Sequence, residues 1–166
     1  MLPAPEQLKS SIEHSLPGVA VTVDGPALVV DPKDLAAVCR YLQHHGPFSM
    51  DYLANLTPVD YPSERRLDVV YHLYSMSQQH GPITLRVRLD RDDPVVASVT
   101  PLWRGAEFQE REAYDLFGVR FEGHPDLRRI LMWEGFKGHP MRKDYVPEDQ
   151  DAPAESAPPA QGSPAA

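Results

Sequence analysis

Residues 67–90 read LDVVYHLYSMSQQHGPITLRVRLD. Leu67, Val69, Tyr71 and Leu73 alternate with Asp68, Val70, His72 and Tyr74. Ile83, Leu85, Val87 and Leu89 alternate with Thr84, Arg86, Arg88 and Asp90. A period of two puts each apolar set on one face of a strand, and the Thr/Arg face of the second strand suits a half-solvated sheet. Gly81-Pro82 lies in the loop between the strands. A connection this short joins antiparallel neighbours.

Outward from this pair, Val19–Val23 and Ala27–Val30 flank Asp24-Gly25, a hairpin signal. Residues 5–15 predict a short helix with Leu8, Ile12 and Leu16 on one stripe, stopped by Pro17-Gly18. Asp31 as cap, Pro32 at the first position and Gly46 beyond the end delimit a second helix, whose stripe is Leu35, Val38, Cys39 and Leu42. Phe48–Thr57 reads as a strand, Tyr61-Pro62-Ser63 as a turn and Val95–Val99 as a short extended piece. Thr100 as cap, Pro101 and Gly118 predict a third helix over 101–117. The fold class expected is α+β: two layers, a mostly antiparallel sheet with helices on one side, then an extended C-terminal arm. The α+β domain is assigned to residues 1–118, the arm to 119–146 and a disordered acidic Pro/Ala-rich tail to 147–166.

The tail, PEDQDAPAESAPPAQGSPAA, holds Glu148, Asp149, Asp151 and Glu155 and no Lys or Arg, which is half of the formal net charge of −8. It lacks the apolar surface needed to offset its ordering entropy. A mildly acidic body argues against general nucleic-acid binding. Cys39 is the only cysteine, so no intrachain disulfide forms, and the usual four-thiolate iron–sulfur arrangement is excluded. No apolar run approaches the roughly 20 residues of a membrane span, and the start, MLPAPEQLKS, lacks a signal-peptide pattern.

On a wheel of 100° per residue the third helix has an apolar arc containing Leu102, Trp103, Ala106, Ala113, Tyr114, Leu116 and Phe117. Glu107, Arg111 and Asp115 fall opposite and are spaced to pair along an exposed surface. Two residues break the pattern: Glu110 lies inside the apolar arc and Phe108 on the charged face. A buried carboxylate must find donors, so Glu110 is placed at a seam with the arm, accepting from one of its arginines or from amides near Gly123–His124. Arg111 and Asp115 are then free for contacts with another protein. An aromatic on a polar face is often covered, so Phe108 points to such a contact.

The arm reads VRFEGHPDLRRILMWEGFKGHPMRKDY, with Gly-His-Pro at 123–125 and 138–140. Only Leu127–Trp133 has room for a helical turn or two. Phe121, Leu127, Ile130, Leu131, Met132, Trp133, Phe136 and Tyr145 need burial, and Arg128, Arg129, Lys137, Arg142 and Lys143 are interleaved with them. Such a mix resembles an interface segment. His124 and His139 match no metal-ligand spacing, and turn or capping roles suit them better. Glu110, Glu112 and Asp115 with His124 offer acid–base groups, but no nucleophile or oxyanion motif accompanies them. No phosphate-binding glycine motif is present.

The run Glu110-Arg111-Glu112-Ala113-Tyr114-Asp115-Leu116-Phe117-Gly118 resembles the signature of the complex I 30-kDa subunit family in its unfused form. The likeness continues through Gly123-His124-Pro125-Asp126-Leu127-Arg128-Arg129-Ile130-Leu131 and Gly138-His139-Pro140-Met141-Arg142-Lys143-Asp144-Tyr145, and Val69–Ser75 is similar to the family's central strand. The resemblance implies a non-catalytic, cofactor-free subunit of the hydrophilic arm of proton-pumping NADH–quinone oxidoreductase. FMN and iron–sulfur clusters then sit in partner subunits. It implies docking to the 49-kDa-type subunit and the iron–sulfur subunits, no nucleic acid, and a peripheral place on the cytoplasmic side of the bacterial inner membrane. Residues expected to bind partners or shape the arm are Phe108, Glu110, Arg111, Glu112, Asp115, His124, Arg128, Arg129, Trp133, Arg142, Lys143 and Asp144. The alternatives are the equivalent subunit of a membrane-bound hydrogenase or of a coenzyme F420- or plastoquinone-linked dehydrogenase, and, from a different class, a free-standing acid–base enzyme.

Overall fold

A computed structural model describes residues 4–147, so the expectation for the tail lies outside the described residues from Glu148 onward. Helix α1 (Pro5–Ser15) leads into the hairpin β1 (Val21–Asp24) and β2 (Ala27–Val30). Asp31 accepts a hydrogen bond from the Lys33 amide and starts a 3-10 turn at Pro32–Asp34, which runs into α2 (Leu35–His44). Strands β3 (Tyr52–Tyr61), β4 (Arg66–Ser75) and β5 (His80–Asp90) follow, then β6 (Val95–Ala97), α3 (Ala106–Phe117) and β7 (Arg120–Glu122).

The main sheet runs β1-β2-β5-β4-β3. Its β1–β2, β4–β5 and β3–β4 pairs are antiparallel, and β2–β5 is parallel because β3 and β4 intervene before the chain returns. The alternation of 67–90 holds: Leu67, Val69, Tyr71, Leu73, Ile83, Leu85, Val87 and Leu89 are all buried. They share one core with Leu8 and Ile12 of α1, Leu35, Val38, Cys39 and Leu42 of α2, and Ala106 and Ala113 of α3. The helices therefore cover one face of the sheet. Both edge strands have an amide taken by a side chain: Glu13 accepts from Val21 (2.9 Å) and Gln109 from Leu56 (2.6 Å). Such caps, with Pro58 in β3, blunt open-edge pairing.

Four expectations shift. The strand expected at Phe48–Thr57 is Tyr52–Tyr61, running through Pro58, which an edge strand tolerates. The third helix begins at Ala106; Thr100–Gly105 forms turns in which the Leu102 and Trp103 amides donate to the Val99 carbonyl. Leu127–Trp133 contains no helix. The domain does not stop at Gly118, because β7 pairs in parallel with β6 and buries Val119 and Phe121 in the core.

Candidate docking site

Three features of α3 set the site: a buried acid on each of two faces and a C-terminal end closed by the arm. Glu110 is fully buried, as the wheel implies, but its donors are not those expected. The Val99 amide donates to Oε1 (2.7 Å), and the Ser98 and Thr100 hydroxyls donate to Oε2 (2.6 and 3.1 Å). The turn before the helix, not the arm, compensates it. Burial pushes its carboxyl above the usual range against the pull of these three donors.

Arg111 and Asp115 do not lie on an exposed surface. Both are buried, because the arm crosses the face that the helix alone would leave to solvent. Arg111 donates to the carbonyls of Arg128 and Arg129 at 3.2 Å each. Asp115 Oδ2 accepts from the consecutive amides of Ile130 (3.0 Å), Leu131 (2.7 Å) and Met132 (2.9 Å), and Oδ1 accepts from Arg129 (2.7 Å). Burial alone would raise this carboxyl; the amides of Met132 and Leu131, Arg129 and the Ile130 amide together hold it below its ordinary value.

A helix leaves its last four carbonyls without partners. Here the chain beyond the helix supplies all four. The Gly118 amide donates to Tyr114 O (2.9 Å), His139 Nδ1 and Arg129 to Asp115 O (3.1 and 3.2 Å), the Met141 amide to Leu116 O (3.1 Å) and Arg142 Nε to Phe117 O (2.7 Å). Two guanidinium groups at a helix C-terminus also complement its dipole. Gly118 turns with φ +80°, and a Cβ there would lie 2.5 Å from His139 Nε2.

Further along, Arg91 forms a two-point pair with buried Asp60 (2.6 and 3.0 Å) and also holds Asp144 (2.5 Å). The Lys143 amide donates to Asp60 Oδ2 (2.9 Å), fastening the arm to the end of β3. Trp133 meets Phe136 edge-on, and Phe136 carries the Arg129 guanidinium. His124 donates from Nε2 to the Glu107 carbonyl (3.1 Å) and accepts the Asp126 amide at Nδ1 (3.0 Å), a turn-forming role. Arg128 is exposed and paired with Asp126. Phe108 and Glu112 stay exposed.

The twelve residues singled out in the sequence thus divide. Asp115, Arg111, Arg129, His124 and Arg142 bind helix to arm, Asp144 ties the arm to Arg91, Trp133 packs within the arm, and Glu110 serves the preceding turn. Phe108, Glu112 and Arg128 are exposed, as is Lys143, whose ammonium lies 5.6 Å from the Tyr61 ring. Asp60, Arg91 and Ser98 were missed as contributors, whereas His139 takes the capping role read from the sequence; a lone acid within an apolar strand was the available signal for Asp60. Among the described residues, no group of three or more His, Cys, Asp and Glu side chains is placed to hold a metal ion. Nor is any helix among them long and apolar enough to cross a membrane.

The class defined by this fold and site is an α+β domain whose C-terminal arm is fastened along its last helix. The chain belongs to the family of the respiratory-chain NADH dehydrogenase 30 kDa subunit, whose model matches residues 28–151. It is 47% identical over 120 residues to a C subunit of the NADH-quinone oxidoreductase of Rhizobium meliloti (strain 1021), covering 72% of this chain and 65% of that one. It is 50% identical over 123 residues to the C subunit of the NADH-quinone oxidoreductase of Moorella thermoacetica, covering 74% and 81%. Among solved structures, the trypsin-resistant fragment of Nqo5 matches with a TM-score of 0.57 and 30% identity, over 75% of this chain and 100% of that one. The archaeal membrane-bound sulfane sulfur reductase complex supplies a fold match with a TM-score of 0.68 at 21% identity, over 91% and 97%.

Proposed function

We propose that this chain is a cofactor-free, non-catalytic subunit of the hydrophilic arm of proton-pumping NADH–quinone oxidoreductase, complex I. In that assembly electrons pass from NADH through FMN and iron–sulfur clusters of other subunits to quinone. The chain fastens neighbours of the 49-kDa and iron–sulfur type, on the cytoplasmic side of the membrane. The observation that carries this reading is the Asp115 node: a buried carboxylate spends four hydrogen bonds on holding an irregular, aromatic- and Arg-rich segment in one shape. Polar groups so engaged are poor acid–base catalysts, whereas a rigid irregular segment suits recognition.

The test is recovery of the tagged full chain from membranes, with mass spectrometry and metal and flavin analysis. The reading expects a 49-kDa-type subunit, iron–sulfur subunits and an NADH-binding flavoprotein in the same particle, and a colourless chain once separated. Recovery with a nickel-hydrogenase-like subunit and no such flavoprotein would contradict it. So would a separated chain that holds stoichiometric flavin or iron, or that turns over a metabolite.

A further inference from the structure

Phe108 is 59% exposed and Leu131 57%, and Ile130 is also exposed, although this part of the arm is fixed by three hydrogen bonds from backbone amides to Asp115. Arg111 and Asp115 connect the three. Phe108, Arg111 and Asp115 lie three and four residues apart on one helix face, and the arm backbone is bonded to Arg111 and Asp115. The buried Arg111 guanidinium sits 5.8 Å from the Phe108 ring. Large apolar side chains held rigidly in solvent mark a contact rather than a core.

Charge specifies the occupant. Glu107 and Glu112 flank Phe108 on the helix, and Glu134 follows Leu131 by three residues; none of them forms an ion pair among the described residues. Arg128 is neutralised by Asp126, leaving Arg104 as an outward cation beside the strip. A second copy would meet this strip with its own acidic rim across a two-fold axis, setting like charges against each other. We propose that the Phe108–Ile130–Leu131 strip seats in an apolar socket rimmed by Lys or Arg on another protein of the assembly. The inference rests on the subunit reading above and names the face of the site that meets the partner.

The experiment places a photo-reactive phenylalanine analogue at 108, at 131 and, as control, at 52 on the uncovered sheet face, in the full chain within the purified complex. Cross-links from 108 and 131 to one partner protein, at a peptide containing Lys or Arg, are expected. The variant Phe108→Asp should leave melting unchanged, since the side chain is exposed, and weaken retention in the complex about tenfold or more. Glu112→Lys should weaken it in the same direction, and Glu112→Gln less. Cross-links to a second copy, or none from 108 and 131 in an assembled complex, would overturn the inference and leave the subunit reading standing. A wild-type chain that enters no complex would instead sink the subunit reading.

Discussion

Arg129 donates to both the carboxylate and the main-chain carbonyl of Asp115, at 2.7 and 3.2 Å, so one guanidinium ties the arm to the helix end and caps that end. The same side chain reaches the Gly138 carbonyl (3.1 Å) and the Phe136 ring. The arm's shape therefore depends on a few buried polar contacts more than on apolar area.

Removing the acid at this node strands three amides and a guanidinium. Asp115→Ala should lower the free energy of arm opening by about 3 kcal/mol. Hydrogen exchange at the Ile130, Leu131 and Met132 amides should accelerate about a hundredfold, while β4 and β5 stay protected. Asp115→Asn, which keeps one acceptor, should sit between Ala and wild type. Because its folded-state pKa is depressed, Asp115 contributes stability above its ordinary value near about 3.9, and that contribution is lost as pH falls through the lower folded value. Unchanged exchange in Asp115→Ala would show that the node does not hold the arm.

Glu110 has the opposite sign. Its folded-state pKa is raised, so the native state holds the extra proton between the ordinary value, about 4.3, and the raised one. Stability falls as pH rises through that window. Glu110→Gln removes the titration and keeps the shape, and the Ser98 and Thr100 hydroxyls can turn to accept from the new amide. Denaturant midpoints against pH should be flatter in this variant, and Glu110→Ala should be worse than Gln at every pH because it strands the Val99 amide. Parallel profiles for wild type and Gln would refute the assignment.

Gly118 holds the positive φ that turns the chain into β7, and His139 occupies the space a side chain would need. Gly118→Ala should cost at least about 1 kcal/mol. It should also displace His139 from the Asp115 carbonyl, visible as a shift of the imidazole NMR signals. An undisturbed His139 with unchanged melting would contradict the packing described.

The sheet and the first two helices were legible in the sequence because each obeys its own period and carries its own cap or breaker. The outer face of α3 was not. A wheel reports which residues share a face, not what covers it, so Arg111 and Asp115 read as solvent-facing when the irregular arm buries them. Thr100 read as a helix cap, yet its hydroxyl serves Glu110, and the turns from Thr100 to Gly105 delay the helix. The parallel β2–β5 pair was hidden because it joins segments far apart in sequence, which no local pattern reports.

Arg129→Ala tests the central claim most directly, that the arm fastened to α3 is what seats this chain in the oxidoreductase. The measurement is NADH:quinone reductase activity in membranes, alongside the amount of this chain and of the 49-kDa-type subunit in the purified particle. The account predicts that all three fall together to about a tenth or less, since an arm released from α3 must be ordered again on docking, while the isolated variant keeps the melting of its sheet domain. Full activity and normal subunit recovery in a variant whose arm amides exchange freely would contradict it.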